Sequence, residues 1–286
     1  MHAMTLRTRL KSPGMVQAPG CYDAFSARLI ERAGFEVAYM TGFGSSASVL
    51  GMPDAGLMSF AEMADHAGRI ANAINIPLIA DGDTGYGNAL NTHRTVQAYI
   101  RAGVAGIQLE DQVAPKKCGH TKGKQVIPAG EMVGKIRAAS DAREAGDIVL
   151  VIRTDARAVN GFDDALERCR AYAEAGADVI FFEAPENEQE MRDAVQAIDS
   201  PMLVNVVEGG KTPCLPAREL EQIGFKIAIY PVSLLLSAAK VMQKQLEALK
   251  KPDQYDLYAD QITFEELKDL VGFPEYYARE DRYVEK

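Results

Sequence analysis

The chain has 286 residues, of which 47% are hydrophobic and 25% charged, and its formal net charge is −9 at pH 7. These are the proportions of an ordinary globular protein, and the acidic balance argues against nucleic-acid binding, which normally uses a basic face. No apolar run approaches the roughly 18 residues needed to cross a bilayer, and residues 1–7 lack the apolar core of a signal peptide. We therefore expect a cytoplasmic protein without a nucleic-acid or membrane partner.

Short apolar runs alternate with helical patterns along the chain. This alternation predicts strands at 15–18, 37–41, 77–81, 106–110, 148–153, 179–183, 202–206 and 226–230. Helices are predicted between them, for example at 60–74, 92–102, 129–144 and 162–175. Several helical patterns end at a glycine, as a left-handed C-terminal cap requires: Gly34, Gly103, Gly146, Gly176 and Gly224.

The regular order of strands and helices predicts a parallel sheet closed as a (β/α)8 TIM barrel. The alternative is an open doubly wound sheet, which needs a glycine-rich phosphate turn after its first strand, and residues 18–22 (APGCY) do not form one. No linker divides the chain, so we expect a catalytic barrel domain over 1–250. Helical patterns at 263–271 and 274–282 predict a C-terminal extension over 251–286 that packs on a neighbouring subunit.

Polar residues stand at the carboxyl ends of most predicted strands, the edge where barrel enzymes place their chemistry. They are Tyr39, Thr41, Asp81, Asp83, Glu110, Arg153, Glu183, Asn205 and Tyr230. One such residue would mean little, but a whole row of them is difficult to explain by solubility. The sequence alone therefore predicts an active site at this edge of the barrel.

Three acidic residues of this row form a carboxylate cluster at adjacent strand ends: Asp81, Asp83 and Glu110. Like charges so close together raise one another's pKa unless a cation is present. Carboxylate oxygens in a partly hydrated cluster suit Mg²⁺ or Mn²⁺. The alternative is that the aspartates are surface residues that cap helices, as Asp83 before Thr84 would.

Two further features suit an anionic substrate. Arg153 presents a fork of donors that fits a carboxylate or a phosphate, or else it pairs with Glu183 or Asp155. Residues 41–46 (TGFGSS) offer backbone N–H groups and hydroxyls that can cradle an anion. Glycine-rich loops are common, so this one counts only together with the other residues.

One cysteine has neighbours that suit chemistry. The chain has four, Cys21, Cys118, Cys169 and Cys214, without the spacing of a disulfide framework or a zinc site. A buried inert thiol is the ordinary expectation, and Cys169 on a helical face fits it. Cys118, however, lies on a loop between Lys117 and His120, and nearby cations lower the pKa of a thiol. We therefore expect Cys118 to move protons or attack carbon.

Seven stretches together resemble the isocitrate lyase and phosphoenolpyruvate mutase superfamily. In family order they are 39–42 (YMTG), 51–54 (GMPD), 81–87 (DGDTGYG), 110–112 (EDQ), 116–120 (KKCGH), 153–155 (RTD) and 182–184 (FEA). The resemblance implies a barrel whose eighth helix is exchanged between the subunits of a homodimer or homotetramer, with Mg²⁺, or Mn²⁺, in each site. It also implies that Asp81 binds the metal most directly, while Asp54, Asp83 and Glu110 help through water.

The resemblance further implies a reaction. Members that cleave carbon–carbon bonds share the Lys-Cys-Gly-His context, and they split a 2-hydroxy di- or tricarboxylate into pyruvate and a second carboxylate by retro-aldol or retro-Claisen chemistry. Mg²⁺ stabilises the alkoxide, and Cys118 protonates the resulting enediolate as general acid. The base is left open between Tyr39 and a metal-assisted water, and Lys116 and His120 are further catalytic candidates. The expected substrate contacts are Thr41, Gly42, Phe43, Gly119, Arg153, Glu183, Asn205 and Pro231.

Two departures from the methylisocitrate lyases favour a smaller substrate. Thr121 stands where those enzymes have an arginine, and Val207 where they have a hydroxyl residue. Both changes remove polar contacts to a third carboxylate, so the chain resembles 2,3-dimethylmalate and alkylmalate lyases. The alternative is an oxaloacetate hydrolase, in which we expect a serine in place of Pro231, or a decarboxylase. A phosphonate-forming mutase, whose loop lacks the thiol, and a non-catalytic barrel are less favoured alternatives.

Overall fold

The computed structural model describes residues 2–119, 123–145, 147–251 and 261–284. Within these residues, eight parallel strands close into a barrel in chain order. They are β1 Val16–Cys21, β2 Ala38–Met40, β3 Leu78–Asp81, β4 Gly106–Glu110, β5 Val149–Thr154, β6 Val179–Phe182, β7 Met202–Asn205 and β8 Ile227–Tyr230. The predicted (β/α)8 barrel is confirmed, and the open sheet is excluded because β8 pairs with β1.

Helices lie between the strands and continue after the last one. In the described residues they are α1 His2–Lys11, α2 Ala24–Arg32, α3 Gly42–Ser45, α4 Phe60–Ala71, α5 Ala89–Arg101, α6 Ala129–Asp141, α7 Phe162–Glu174, α8 Glu188–Ala197, α9 Ala217–Ile223, α10 Ser233–Leu249, α11 Phe264–Val271 and α12 Phe273–Glu280. Short 3₁₀ helices at Ala142–Ala145 and Ala156–Ala158 and a π-helical turn at Ser46–Leu50 also occur. No helix in this part of the chain combines the length and the apolar character that crossing a membrane requires.

The predicted elements are all present, and only their ends differ. β1 continues to Cys21 instead of ending at residue 18, because Pro19 still lies opposite Tyr230 of β8. Capping boxes fix the starts of four helices, at Asp23, Ser59, Asn88 and Thr263. The glycines predicted to close helices have positive φ at Gly34, Gly103, Gly176 and Gly224, while Gly146 lies outside the described residues.

The barrel interior determines which strand-end residues face the site. One buried cluster contains residues from alternate positions of the strands, among them Tyr39, Ile79, Val151, Phe181, Leu203 and Ile229. Because side chains alternate between the two faces of a strand, the residue two positions further along faces the barrel axis as well. The mouth is therefore lined by Thr41, Asp81, Arg153, Glu183, Asn205 and Pro231. This alternation is the physical origin of the polar row seen in the sequence.

Helix α1 covers the opposite end of the barrel. Leu6 is fully buried and belongs to the core cluster. Arg7 beside it forms ion pairs with Asp147 at 2.7 Å and with Asp178 at 2.8 Å. The sequence did not predict this helix. Leu6 therefore closes the core at the amino-terminal end of the strands, opposite the carboxyl-terminal mouth.

The chain divides into two compact units, Met1–Ser233 and Leu234–Lys286. The first contains the barrel and every site residue discussed below. In the second, α10 has no buried residue among those described, and the rings of Phe273 and Tyr277 lie 5.6 Å apart within α12. The sequence places the end of the barrel domain at residue 250, and this division remains a prediction.

Candidate active site

The carboxylates at the carboxyl ends of β3 and β4 form a buried acidic cluster at the barrel mouth. Asp81, Asp83 and Glu110 are at most 6% exposed. Asp54, from the segment between α3 and α4, joins them through Lys116, whose Nζ lies 2.5 Å from Asp54 Oδ1 and 2.9 Å from Asp83 Oδ1. The structure therefore brings the predicted metal ligands together. The alternative for Asp83 is wrong, because α5 is capped by Asn88 and Asp83 is buried.

Burial raises the pKa values of two carboxylates in this cluster, and the nearby positive charges do not cancel the rise. Burial raises the pKa of Asp81 to about 6, although Lys116 opposes the rise. Burial also raises the pKa of Glu110 well above its ordinary range, against the opposing effect of Arg153. Burial lowers the pKa of Lys116, but Asp83 and Asp81 outweigh it and raise that pKa well above its ordinary value. Lys116 is thus held as a cation, and the cluster still favours further positive charge.

The donor set fits a hard divalent cation. Two carboxylates, those of Asp54 and Asp83, share the ammonium of Lys116, and Glu110 Oε1 is buried without a hydrogen-bond partner in the described part of the chain. In that same part, no three acidic, histidine or cysteine side chains converge closely enough to bind a metal directly. Mg²⁺ keeps several waters and usually takes only one or two carboxylates. The arrangement therefore suits Mg²⁺ better than a cation that needs a complete protein cage.

Hydrogen bonds from neighbouring buried groups orient the carboxylate of Asp81. Its Oδ1 accepts hydrogen bonds from the backbone N–H of Asp83 at 3.0 Å and from Gln108 Nε2 at 3.3 Å. Gln108 Oε1 in turn accepts the hydroxyl of Tyr39 at 2.7 Å. Burial raises the pKa of Tyr39 well above its ordinary value, and Asp81 adds to the rise. The predicted catalytic tyrosine is therefore protonated and is linked through Gln108 to Asp81, the predicted metal ligand.

Arg153 lies among carboxylates at the ends of β5 and β6. It donates from Nε and Nη2 to the two oxygens of Asp155 at 2.8 and 2.9 Å. Glu110 and Glu183 lie 3.5 and 3.6 Å from the same guanidinium, and Asn205 Nδ2 donates to Glu183 Oε2 at 3.3 Å. The pairing with Asp155 fixes the plane of the guanidinium at the mouth, so the two interpretations of Arg153 from sequence are compatible.

The loop that contains Cys118 is anchored beside this arginine. The side-chain amide of Gln112 donates to the carbonyl of Lys117 at 2.8 Å and accepts its N–H at 3.0 Å. Lys124 donates to the carbonyl of Gly119 at 2.6 Å. Cys118 is half-buried. His120 and Thr121 lie outside the described residues, so the expectations for them stay predictions.

Gly119 packs directly against the predicted substrate residues. A Cβ on Gly119 would lie 2.2 Å from Glu183 Oε1 and 2.3 Å from Arg153 Nη2. Lys124 Nζ also donates to Asp155 Oδ1 at 2.6 Å, which links the loop to the carboxylate that holds Arg153. The structure therefore places the residue next to the thiol at the arginine expected to bind a carboxylate.

The predicted anion loop after β2 is folded differently from expectation. Gly42–Ser45 form the short helix α3, which the hydroxyl of Thr41 caps by accepting the N–H of Gly44 at 3.2 Å, and a π-helical turn begins at Ser46. Phe43 in this helix is 40% exposed. Pro231 follows β8 against Gly20, where a Cβ would lie 2.3 Å from the Pro231 carbonyl oxygen.

Sequence reasoning missed three buried polar residues that support the site. Gln108 and Lys124 have the contacts given above. Asp111 accepts hydrogen bonds from Thr154 Oγ1 at 2.7 Å and from the backbone N–H of Asp155 at 2.9 Å. In the sequence, Gln108 is marked only as a glutamine inside an apolar strand, and Asp111 only as a member of the stretch 110–112 that resembles the superfamily.

Comparison with known proteins identifies the family to which this site belongs. The model of a family described as phosphoenolpyruvate phosphomutase matches residues 6–250. The chain belongs to the phosphoenolpyruvate mutase/isocitrate lyase superfamily. The predicted family is thereby confirmed.

Relatives within this superfamily have several activities. The chain is 49% identical to 2,3-dimethylmalate lyase of Eubacterium barkeri, over 99% of this chain and 98% of the relative. It is 43% identical to the chloroplastic carboxyvinyl-carboxyphosphonate phosphorylmutase of Arabidopsis thaliana, over 96% and 82%. It is 42% identical to 2-methylisocitrate lyase of Aeropyrum pernix, over 97% and 89%. Named lyases are thus among its relatives, as predicted.

Solved structures of the superfamily have the same fold. Oxaloacetate acetylhydrolase with 3,3-difluorooxalacetate has a TM-score of 0.95 at 37% identity, over 100% of this chain and 98% of that one. A 2,3-dimethylmalate lyase has a TM-score of 0.93 at 38% identity, over 99% and 95%. Phosphonopyruvate hydrolase in complex with oxalate and Mg²⁺ has a TM-score of 0.90 at 30% identity, over 100% and 100%.

Proposed function

We propose that this protein is a Mg²⁺-dependent carbon–carbon lyase that cleaves a 2-hydroxy dicarboxylate of the 2,3-dimethylmalate or alkylmalate type to pyruvate and a second carboxylate. The observation that carries the proposal is the contact of Gly119, the residue after Cys118, with Arg153 and Glu183. A lyase of this kind needs a proton donor and a carboxylate-binding arginine at one place. The identity of 49% to a 2,3-dimethylmalate lyase favours the same substrate class.

The substrate would be held between the arginine and the acidic cluster. Two bonds to Asp155 fix the guanidinium of Arg153, and its remaining N–H donors would bind a substrate carboxylate, with Thr41 and Gly42 across the mouth. Asp81 would bind Mg²⁺ directly, and Asp54, Asp83 and Glu110 would hold its waters. When bound, Mg²⁺ supplies Lewis-acid stabilisation of negative charge on the substrate oxygens. Mn²⁺, which prefers the same ligands, is expected to substitute.

The bond change needs one proton removed and one returned. The hydroxyl on C2 gives its proton to a base, the C2–C3 bond breaks, and C2 becomes the keto carbon of pyruvate. The electron pair stays on C3, conjugated with its carboxylate, and the thiol of Cys118 gives its proton to that carbon. Without this donor the carbanion returns to substrate, so Cys118 is needed for turnover rather than for binding.

Oxaloacetate hydrolysis is the second candidate. The observation in its favour is the TM-score of 0.95 with an oxaloacetate acetylhydrolase. The buried Pro231, in place of the expected serine, argues against it, because a proline side chain offers no hydroxyl to the pocket. Phosphonate chemistry, suggested by the phosphorylmutase relative, is disfavoured because the loop carries a thiol.

We also infer an oligomer, a homodimer or homotetramer in which α10 is exchanged between subunits. In support, Leu246 and Leu249 on α10 are each 60% exposed, and water contact of such side chains is unfavourable. A C-terminal extension over 251–286 that packs on a neighbouring subunit belongs to the same proposal. The cytoplasmic location and the absence of nucleic-acid and membrane partners stay predictions from the sequence.

A product assay tests the proposal. The protein is incubated with Mg²⁺ and with 2,3-dimethylmalate, methylisocitrate or oxaloacetate, and pyruvate is measured by coupling to lactate dehydrogenase, while oxalate is measured separately. We expect pyruvate from 2,3-dimethylmalate, and its formation should stop when the metal is chelated. Oxalate from oxaloacetate as the main product would contradict the proposal.

A further inference from the structure

Gln108 is a polar side chain inside the barrel, within a strand that is otherwise apolar as far as Glu110. It is fully buried, and it lies opposite Asp81 in the pairing of β3 with β4. Its register neighbour on β5 is Val151, which belongs to a hydrophobic cluster that also includes Phe181 and Ile229. A buried amide is unfavourable unless both of its ends are hydrogen-bonded. Both ends are bonded here, to Tyr39 on one side and to Asp81 on the other.

The orientation of this amide is determined by its two partners. A carboxylate only accepts hydrogen bonds, so the N–H end of Gln108 must face Asp81 and the carbonyl end must face Tyr39. The hydroxyl of Tyr39 then donates to that carbonyl, at 2.7 Å. Turning the amide around would place its oxygen against the carboxylate oxygen of Asp81. The Tyr39–Gln108–Asp81 chain therefore has one favourable direction.

These hydrogen bonds also determine which carboxylate oxygen of Asp81 faces the acidic cluster. Asp81 Oδ1 accepts two hydrogen bonds, from Gln108 and from the N–H of Asp83. Oδ2 is directed towards Gly42 and Lys116: a Cβ on Gly42 would lie 2.4 Å from Asp81 Oδ2 and 3.5 Å from Lys116 Nζ. Oδ2 is thus the oxygen on the side of the cluster where positive charge collects.

We propose that Gln108, anchored by Tyr39, is a positioning residue of the metal centre that turns Asp81 so that Oδ2 binds the cation. The inference rests on the proposed Mg²⁺ site and deepens it. It also assigns Tyr39 a structural part in metal binding in place of the role of catalytic base. Residues that hydrogen-bond to a ligating carboxylate orient it before the metal arrives, so they act on metal affinity even without substrate.

Metal binding without substrate tests the inference directly. Mn²⁺ serves as the probe, since its free ion is quantified by electron paramagnetic resonance. Gln108→Leu should raise the dissociation constant of Mn²⁺ about 10- to 100-fold, the usual effect of losing such a partner. Tyr39→Phe should raise it in the same direction by a smaller factor. The double variant should bind like Gln108→Leu alone, because Tyr39 acts through Gln108.

A matched control separates this effect from general destabilisation. Tyr172 is another buried tyrosine whose hydroxyl donates to a carboxylate, that of Asp111 at 2.8 Å, but it lies on α7. Tyr172→Phe removes the same group and should leave Mn²⁺ affinity unchanged. If Gln108→Leu does not fold, Tyr39→Phe/Gln108→Met carries the test, because it leaves no orphaned hydroxyl. Failure of that variant to fold as well would overturn the inference in favour of a packing role.

The remaining outcomes are distinct. Tyr39→Phe with unchanged Mn²⁺ affinity and lost pyruvate formation would return Tyr39 to the role of base and refute the inference. Wild-type affinity in Gln108→Leu would refute it while the proposed lyase stands. A wild-type protein that binds no Mn²⁺ would refute the metal centre and this inference together.

Discussion

Asp81 Oδ2 occupies the space that a side chain on Gly42 would need, since a Cβ there would lie 2.4 Å from that oxygen. Gly42→Ala should therefore force the carboxylate to rotate or α3 to move away. Because Asp81 is the proposed direct metal ligand, we expect Mn²⁺ affinity and lyase kcat/KM to fall by about tenfold or more. Titration of Mn²⁺ and steady-state pyruvate formation measure the two effects.

Gly134→Ala is the matched control for this substitution. Gly134 lies within α6, and a Cβ there meets nothing within 4 Å. Alanine in a helix interior stabilises by about 0.5–1 kcal/mol relative to glycine, so this variant should unfold at slightly higher urea concentration and bind Mn²⁺ normally. Wild-type metal affinity in Gly42→Ala would show that Asp81 does not bind the metal through Oδ2.

Lys124 joins the Cys118 loop to the carboxylate that fixes Arg153. Its side chain is 1% exposed and its Nζ lies 2.6 Å from Asp155 Oδ1. Lys124→Met removes one of the positive charges that compensate the buried carboxylate of Asp155, and breaking a buried ion pair typically costs about 3–5 kcal/mol. We expect a loss of that order in the free energy of unfolding, measured with urea, and a lower kcat because Arg153 and Gly119 lose their common anchor.

Lys117 provides the comparison within the same loop. It also donates to a backbone carbonyl, that of Gly123 at 2.8 Å, but its side chain is exposed. Lys117→Met should change the free energy of unfolding by less than about 0.5 kcal/mol. If the two methionine variants lost the same stability, the buried pair of Lys124 with Asp155 would not be the cause.

The strand-end residues could be predicted from sequence, whereas their supporting residues could not. Asp81, Glu110 and Arg153 each stand at the end of an apolar run, and the alternation of side chains places them at the mouth. The role of Gln108 depends on the register of β3 against β4, which no local pattern contains. Residues 42–45 form a helix capped by the side chain of Thr41, and the sequence of this segment does not distinguish a capped helix from a glycine-rich turn.

Mg²⁺ affinity should depend on pH because the proposed ligand titrates. Burial raises the pKa of Asp81 to about 6, and only its ionised form binds a metal, so binding below this pH releases a proton. Lowering the pH from 7 to 5 should weaken Mg²⁺ binding by about tenfold through this group alone, with little change above pH 7. Calorimetry in buffers of different ionisation enthalpy measures both the affinity and the released proton. Asp81→Asn should bind weakly at every pH, and a flat wild-type profile from pH 5 to 7 would contradict the assignment.

Cys118 should be needed for proton return but not for metal binding. Cys118→Ser replaces the thiol by a hydroxyl, which is a far weaker acid, so pyruvate formation should fall by about 10²- to 10⁴-fold, the usual contribution of a general acid. Mn²⁺ affinity should stay at the wild-type value, because the proposed ligands Asp54, Asp81, Asp83 and Glu110 are unchanged.

Cys214→Ser is the control, since this cysteine is exposed and its Sγ contacts only the carbonyl of Val207 among the contacts described for it. It should retain full activity. The buried Cys169, whose pKa burial raises well above the ordinary value, is too weak an acid and too inaccessible to replace Cys118. Wild-type turnover in Cys118→Ser would therefore mean that solvent or another residue protonates C3, and the thiol loop would no longer support a lyase over a hydrolase.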